Sequence, residues 1–315
     1  MNDVLGRSIT YLRLSVTELC DLRCQYCMAE EGVYKRGHEE LCSFEELRDY
    51  AAAAAKLGVT KIRVTGGEPL VRRGIVELCA MLRAIPGVEE ICLTSNGIRL
   101  PQLALPLRNA GVDRLNISVD SLRPERYHAI TRVGELSEVW QGIEAAEEAG
   151  FRELKLNCVL LGGINDDEIG DFVRLTQEKP WQVRFIELMP MGVCAAWPRE
   201  RFLSAQAVLD RVPELRPVGR DGVARLYRLP GAKGTVGLIE PMSCAFCDAC
   251  TRIRITADGK LKPCLHSETE VALRGLKGEE LAQAIRRGIL MKPERHHMDE
   301  IGRTETHRGM FEIGG

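Results

Sequence analysis

The chain has 315 residues, of which 45% are hydrophobic and 28% charged, and its formal net charge is −2. These values fit one large globular domain with an extension or two modest domains, and the small net charge gives no sign of binding to nucleic acid or to a membrane surface. No apolar run approaches the roughly 18–20 residues that span a bilayer, and the N-terminus lacks the pattern of a signal peptide. We therefore expect a cytoplasmic protein.

Six β-rich stretches alternate with helical patterns along the first 190 residues. Strands are predicted over 11–17, 61–67, 90–97, 113–120, 153–161 and 182–189, and helices near 43–57, 74–84, 100–110, 137–149 and 166–178. Ser43 followed by Glu46 is typical of a capping box at the start of the first helix. Strands that alternate with helices predict parallel βαβ units, arranged as an open sheet or as a barrel.

One face of these strands is polar and repeatedly cationic. Parallel strands that are covered on both faces are normally apolar throughout, so the polar face must line a wet or ligand-filled space. Five cations share this face: Arg13, Lys61, Arg63, Lys155 and Arg184. Because they would repel one another when unpaired, the pattern favours a multiply charged anion between them, and a triphosphate fits.

The sequence changes character after about residue 200. A short helix over 203–211, a hairpin within "GVARLYRLPGAKGTVGLIEP" and a helix near 278–290 are predicted, followed by a tail with little periodicity. We expect a barrel domain over 1–200 and a region over 201–315 that binds a metal cluster and substrate and ends in a flexible tail.

Seven of the twelve cysteines form two groups, whereas the other five are scattered singly in apolar settings typical of buried filler. Cys20, Cys24 and Cys27 follow the first strand with the spacing C-x3-C-x2-C, at the carboxyl end of a strand, where such folds place their sites. Three thiolates leave a metal centre one ligand short. A zinc knuckle that borrows a distant fourth ligand is the alternative.

The second group contains Cys247, Cys250 and Cys264 with the spacing C-x2-C-x13-C. It again offers three thiolates, unless Cys244 completes a four-cysteine zinc or electron-transfer site. Arg252 and Arg254 follow immediately and add two cations near this group.

The first triad resembles the signature of the radical S-adenosylmethionine (SAM) superfamily, which is C-x3-C-x2-C with an aromatic residue, here Tyr26, before the last cysteine. The resemblance implies a partial (β/α)6 TIM-type barrel in which three cysteines hold a [4Fe–4S] cluster. In that superfamily SAM occupies the open iron and is cleaved to a 5′-deoxyadenosyl radical. The residues that match SAM-binding positions are Tyr26, Gly67, Glu68, Ser118 and Met189.

The whole chain resembles the GTP 3′,8-cyclase family of molybdenum cofactor biosynthesis. The first triad, "GGEP", "VRFIELMP", the pattern C-x2-C-x-R-x-R-x-T…C and a terminal double glycine occur in order. By this resemblance Arg13, Arg63, Thr94, Lys155, Arg252 and Arg254 match GTP contacts, and Lys61 and Arg184 are added from their shared strand face and their position beside matched motifs. A second [4Fe–4S] cluster on Cys247, Cys250 and Cys264 would bind guanine.

The resemblance also implies a lyase reaction. The radical abstracts hydrogen from C3′ of GTP, the sugar radical adds to C8, and reduction gives 3′,8-cyclo-7,8-dihydro-GTP. The implied partners are GTP, an electron-donor protein and a downstream pathway enzyme, and a homodimer is left open. Thr251 and Asp21 stand where the family usually has Asn, and Ala29 stands where it usually has Pro.

Two other functions stay open from the sequence. One is a radical SAM enzyme that modifies a peptide and uses its second cluster for electron transfer, although a peptide backbone does not need a cationic barrel. The other is a non-catalytic metal or redox sensor. The sequence leaves the ligand role of Cys244 and the position of Gly314 and Gly315 undecided.

Overall fold

The computed structural model describes residues 1–33, 37–298 and 303–314. All six predicted strands are present, and each ends one or two residues before its predicted end. They are β1 (Tyr11–Ser15), β2 (Lys61–Thr65), β3 (Glu90–Ser95), β4 (Arg114–Ser118), β5 (Lys155–Leu160) and β6 (Gln182–Glu187).

The predicted helices are also present between these strands, together with one that the sequence pattern did not indicate. They are α1 (Phe44–Lys56), α2 (Ile75–Arg83), α3 (Leu100–Asn109), α4 (Pro124–Thr131), α5 (Leu136–Glu148) and α6 (Ile169–Glu178). The Ser43 hydroxyl accepts from the Glu46 N–H at the start of α1, which confirms the capping box. The unexpected helix is α4, whose eight residues are too few to show a helical period.

The chain after residue 200 adds further strands and helices, including the predicted hairpin as β8 and β9. The elements are α7 (Gln206–Arg211), β7 (Arg216–Asp221), β8 (Ala224–Arg228), β9 (Thr235–Ile239), β10 (Arg252–Ile255), β11 (Lys260–Lys262), β12 (Val271–Ala272), α8 (Gly278–Leu290) and α9 (Met310–Ile313).

The strands of the described residues form one sheet in the order β12-β11-β10-β1-β2-β3-β4-β5-β6-β9-β8-β7. Strands β1 to β6 are parallel neighbours, as predicted. The C-terminal region extends this parallel unit at both ends, because β10 pairs parallel with β1 and β9 pairs parallel with β6. Since β9 and β10 do not pair with each other, the sheet is not closed. Residues 240–251, which connect these two strands, carry part of the second cysteine group.

The apolar face of the parallel strands forms the core against the helices. Leu12, Ile62, Leu115, Leu156 and Val183 are wholly buried there. Burial of each such side chain contributes roughly 1.5–3 kcal/mol relative to its exposure. The alternation of side chains therefore determines which face of the sheet packs against the helices. Among the described residues, no helix combines the length and apolar character needed to cross a membrane.

Candidate functional site

A cavity of about 490 Å³ lies on the polar face of the sheet and is lined by side chains from all eight parallel strands. This volume lies within the range of roughly 300–1,000 Å³ that is usual for small-molecule sites. All nineteen residues that the sequence singled out as contacts to cofactor, substrate or metal line this one cavity. The structure therefore brings together residues that span positions 13 to 264 of the chain.

The first cysteine triad lies in the loop that follows β1. Burial raises the pKa of Cys27 to about 12, and it also raises the pKa values of Cys20 and Cys24 well above their ordinary range. Buried thiols of this kind stay neutral unless a cation compensates the thiolate charge, which is what an iron–sulfur cluster supplies to its ligands. Three sulfur donors that face one cavity fit a cluster with one open iron.

The glycine pair before Glu68 seats the triad loop against β2. The Gly67 N–H donates to the Thr17 carbonyl at 2.8 Å, and the Glu68 N–H donates to the Leu19 carbonyl at 2.8 Å. A Cβ atom at Gly67 would lie only 2.5 Å from the Leu19 carbonyl oxygen. The loop that carries Cys20 therefore cannot approach this close unless residue 67 is glycine.

Glu68 is fixed within the cavity wall by hydrogen bonds to both carboxylate oxygens. Its Oε1 accepts from the Leu70 N–H and the Ser95 hydroxyl, each at 2.9 Å, and its Oε2 accepts from the Asn96 N–H at 2.7 Å. Burial raises the pKa of Glu68 to about 7, although the N–H groups of Asn96 and Leu70 lower it. A cationic ligand group beside Glu68 would favour its charged form.

Tyr26 is held by a carboxylate that the sequence did not single out as a contact residue. Its hydroxyl donates to Asp120 Oδ2 at 2.7 Å, and Asp120 Oδ1 accepts from the Val159 N–H at 2.8 Å. These bonds connect the triad loop to the carboxyl ends of β4 and β5. Ser118 and Met189 line the same cavity.

Three arginines form a row across β10, β1 and β2. In the strand register, Arg13 is opposite both Arg254 and Arg63. Burial and the neighbouring arginines Arg63 and Arg252 lower the pKa of Arg13 to about 10, although Tyr11 raises it. Burial and Arg13 hold the pKa of Arg254 well below its ordinary value. Burial would lower the pKa of Arg63, but Tyr11 raises it above its ordinary value. Arg13 and Arg254 are therefore the two arginines that favour an anion beside them.

The C-terminal residues supply a hydrogen-bond acceptor to two of these arginines. The Gly314 carbonyl accepts from Arg254 Nη1 at 2.6 Å and from Arg13 Nε at 3.2 Å. A Cβ atom at Gly314 would clash with Thr65 Oγ1. Gly314 therefore lies against two arginines that line the cavity, although the sequence alone favoured no position for it. Gly315 lies outside the described residues.

The remaining predicted cations of the strand face have carboxylate or hydroxyl partners. Lys61 pairs with Glu90 at 2.5 Å. Lys155 and Arg184 both contact Asp221, the Arg184 bond measuring 2.5 Å. Arg63 Nη1 donates to the Thr94 hydroxyl at 3.2 Å. Protein carboxylates thus balance part of the charge that the sequence pattern assigned to a ligand.

Two cysteines of the second triad, Cys247 and Cys250, lie in the connection between β9 and β10, and Cys264 follows β11. Cys247, Cys250 and Cys264 line the cavity, whereas Cys244 is exposed and is not among the lining residues. Burial would raise the pKa of Cys250, but Arg252 and Lys292 lower it to about 6. The geometry therefore presents three thiols to the cavity.

The cavity-facing loop of this triad is anchored by buried polar groups. Glu187, at the end of β6, accepts from the N–H groups of Met242 and Ser243, each at 2.9 Å. Arg7 Nη1 donates to the Cys247 carbonyl at 3.0 Å. Among the described residues, no three His, Cys, Asp or Glu side chains are placed as they would be around a single metal ion.

Two of the family departures fall on structural contacts. Asp21 Oδ1 accepts from Asn96 Nδ2 at 2.7 Å, and the Thr251 carbonyl accepts from the Thr10 and Tyr11 N–H groups at 3.2 Å. Both residues therefore help to align the loops that carry the cysteines.

Several residues that line the cavity were not identified as contacts from the sequence. Tyr11 shares the strand face of Arg13, so the same alternation could have found it. Burial would raise the pKa of Tyr11, but Arg63 and Arg13 lower it to about 8. Lys292 donates to the Arg252 carbonyl at 2.9 Å and belongs to a region in which no motif marked it. Asp221 likewise had no motif around it.

An open sheet with parallel central strands and a cysteine triad after its first strand defines one class of protein. Comparison of the sequence with known protein families identifies the same class. A sequence model described as "Radical SAM superfamily" matches residues 14–176, and one described as "Molybdenum Cofactor Synthesis C" matches residues 181–298. A protein of Alkaliphilus metalliredigens named "GTP 3′,8-cyclase" is 48% identical over 320 residues, which cover 100% of each chain. One of the same name from Moorella thermoacetica is 46% identical over 326 residues, again covering 100% of each. The chain belongs to the radical SAM superfamily and, within it, to the GTP 3′,8-cyclase family.

Solved structures of low sequence identity share the fold. Streptococcus suis SuiB, in a crystal structure with its precursor peptide SuiA, has a TM-score of 0.67 at 14% identity, with coverage of 95% of this chain and 74% of that chain. The structure described as native anSMEcpe with bound AdoMet has a TM-score of 0.54 at 14% identity, with coverage of 86% and 80%. These likenesses confirm the α/β architecture of the predicted partial barrel.

Proposed function

We propose that the chain is a GTP 3′,8-cyclase that converts GTP to (8S)-3′,8-cyclo-7,8-dihydroguanosine 5′-triphosphate, a lyase reaction and the first step of molybdenum cofactor biosynthesis. The observation that carries this proposal is a single cavity that contains two cysteine triads and a row of arginines. The full-length similarity to proteins named GTP 3′,8-cyclase supports it. No observation on the described residues favours a peptide substrate or a sensor.

The proposed cofactors are SAM and two [4Fe–4S] clusters. Cys20, Cys24 and Cys27 would hold the first cluster, and Tyr26, Gly67, Glu68, Ser118 and Met189 would surround SAM. When bound there, the cluster and SAM supply the one-electron cleavage that starts radical chemistry. The chain contributes a buried carboxylate, Glu68, whose charged form an ammonium group would stabilise.

The proposed GTP contacts lie along the cation-lined strands. Arg13, Arg63, Arg254 and Lys155 would bind the triphosphate through charge-assisted hydrogen bonds, with Thr94, Lys61, Arg184 and Arg252 beside them. Because Arg63 and Arg254 are 4% and 7% exposed, their bonds to phosphate would be little screened by water. Such anchoring would hold the ribose in one position relative to the first triad.

The second triad would bind the base end of the substrate. Cys247, Cys250 and Cys264 would hold a cluster whose open side faces the cavity. The positive charge of Arg252 and Lys292, which lowers the pKa of Cys250, would stabilise the thiolates there. This assigns the barrel (1–200) to SAM and the region over 201–315 to the second cluster and substrate.

The decisive experiment is anaerobic turnover of the reconstituted chain with SAM, a reductant and each nucleoside triphosphate in turn. We expect that 5′-deoxyadenosine forms and the nucleotide is consumed only when the nucleotide is GTP. The product should be isomeric with GTP by mass spectrometry, because the hydrogen atom lost from C3′ is replaced by an electron and a proton. Formation of 5′-deoxyadenosine without GTP consumption would refute the proposal and favour a peptide-modifying enzyme.

The reaction needs a source of electrons and a consumer of the product. We propose an electron-donor protein as reductant, a downstream enzyme that accepts the cyclised nucleotide, and a cytoplasmic location, since none of the twelve cysteines is in a disulfide. A homodimer is a further proposal, which sedimentation of the reconstituted chain would test.

A further inference from the structure

Asp221 places a carboxylate in the cavity at one end of the cation-lined strands. It is the last residue of β7 and lies at the turn to β8. Its Oδ2 atom accepts from both Lys155 Nζ and Arg184 Nη2. The side chains of Lys155 and Arg184 are only 5% and 10% exposed, whereas that of Asp221 is 33% exposed.

One carboxylate oxygen that bridges two cations makes the contacts that a phosphate oxygen would make. Lys155 and Arg184 lie on the adjacent strands β5 and β6. Burial and the neighbouring Arg184 lower the pKa of Lys155 to about 8, although Asp221 raises it. A single carboxylate therefore leaves positive charge in excess, and a phosphate with a greater charge would compensate it better.

Strand β7, which carries Asp221, is paired on one side only, with β8. Strand β7 is the outermost strand of the sheet, and residues 216–220 are exposed. Its pairing with β8 has a register shift between Pro217 and Gly219. Displacement of Asp221 from the cavity would therefore break few buried contacts.

We propose that Asp221 is a resident counter-anion that competes with the terminal phosphate of a nucleoside triphosphate for Lys155 and Arg184. This inference rests on the proposed function, because it assumes that the triphosphate binds along the cationic strands. In the absence of a nucleotide, Asp221 offsets part of the positive charge of Lys155 and Arg184 and so limits the affinity for triphosphates. A diphosphate held by the same base end does not extend to these cations and does not compete.

The test compares Asp221→Asn with wild type in calorimetric titrations with GTP and GDP. Each protein is the full chain, anaerobically reconstituted and supplied with SAM. Asp221→Asn is expected to bind GTP about 10-fold more tightly, the value of one charge-assisted hydrogen bond. Its affinity for GDP is expected to change less than about two-fold. Asp221→Glu retains the competing charge and should remain near wild type.

Glu214→Gln is the matched control, because it removes one charge from an exposed residue just before β7 that is not among the cavity residues. Unchanged or weaker GTP binding by Asp221→Asn would overturn the inference, and so would an equal gain for GDP and GTP. If Asp221→Asn does not fold, a GTP affinity of Asp221→Glu that differs more than about 10-fold from wild type would overturn it. Failure of the proposed function is distinct, since wild type would then neither bind GTP nor convert it.

Discussion

Replacement of Arg254 by methionine should weaken GTP binding without destabilising the fold. Methionine retains much of the volume of the arginine stem but removes its charge. Arg254 is 7% exposed and is paired in register with Arg13 on the neighbouring strand. Because burial and Arg13 hold the pKa of Arg254 well below its ordinary value, the charged form of this side chain opposes folding at neutral pH.

The lost hydrogen bond and the removed positive charge change the free energy of unfolding in opposite directions. Loss of the 2.6 Å hydrogen bond to the Gly314 carbonyl costs roughly 1.5–3 kcal/mol. Removal of the like charge returns about 3 kcal/mol, taking charges roughly 5 Å apart at an effective dielectric constant of about 20. The free energy of unfolding should therefore change by less than about 1–2 kcal/mol. A lost contact to phosphate should weaken GTP binding by about 10- to 100-fold.

The assay pairs anaerobic GTP titration with thermal unfolding of the same reconstituted samples. Arg286→Met, on the exposed face of α8, is the matched control and should leave both measurements unchanged. GTP affinity within two-fold of wild type for a folded Arg254→Met variant would refute the placement of the triphosphate on the arginine row.

Three further predictions concern pH, the second triad and the C-terminus. GTP affinity should fall between pH 7 and pH 9, because Lys155 loses its proton and Tyr11 becomes an anion near pH 8. Titration with GTP at several pH values in this range measures the decline, and a constant affinity would show that these two groups do not face the nucleotide. Cys250→Ala should reduce the iron content from about eight to about four atoms per chain, whereas Cys244→Ala should leave it unchanged, and an equal loss in both would contradict a three-cysteine site. Gly314→Ala should lower turnover with GTP at least about 10-fold, because the added Cβ would clash with Thr65 Oγ1 and displace the residue that bonds the arginines; wild-type turnover would show that this position is not used.

The alternation of side chains predicted the barrel strands and their polar face because it depends on a local period of two. Arg13, Lys61 and Arg184 could thus be assigned to one surface from the sequence alone. The outer partners of β1 and β6 could not be predicted, since β10 and β9 are four and five residues long and their pairing depends on distant parts of the chain. The six central strands were therefore predictable, whereas their extension to eight was not.

The candidate site was predictable where residue type alone implies chemistry, as for the two cysteine groups and the repeated cations. It was not predictable where a common residue acts through its position. Asp221 and Glu90 are ordinary carboxylates in sequence, and only the fold places them against Lys155 and Lys61. The cation pattern therefore predicted a ligand for all of the positive charge, whereas the protein's own carboxylates balance part of it.

The parallel pairing of β1 with β10 also constrains how the protein is made. Tyr11 leaves the ribosome long before its partner Arg252, because the two residues lie far apart along the chain. Until then the outer edge of β1 lacks its neighbour, and an unpaired strand edge is open to association with other chains. Such a high contact order predicts slow completion of the fold, and the second triad cannot assemble until Cys264 has been synthesised.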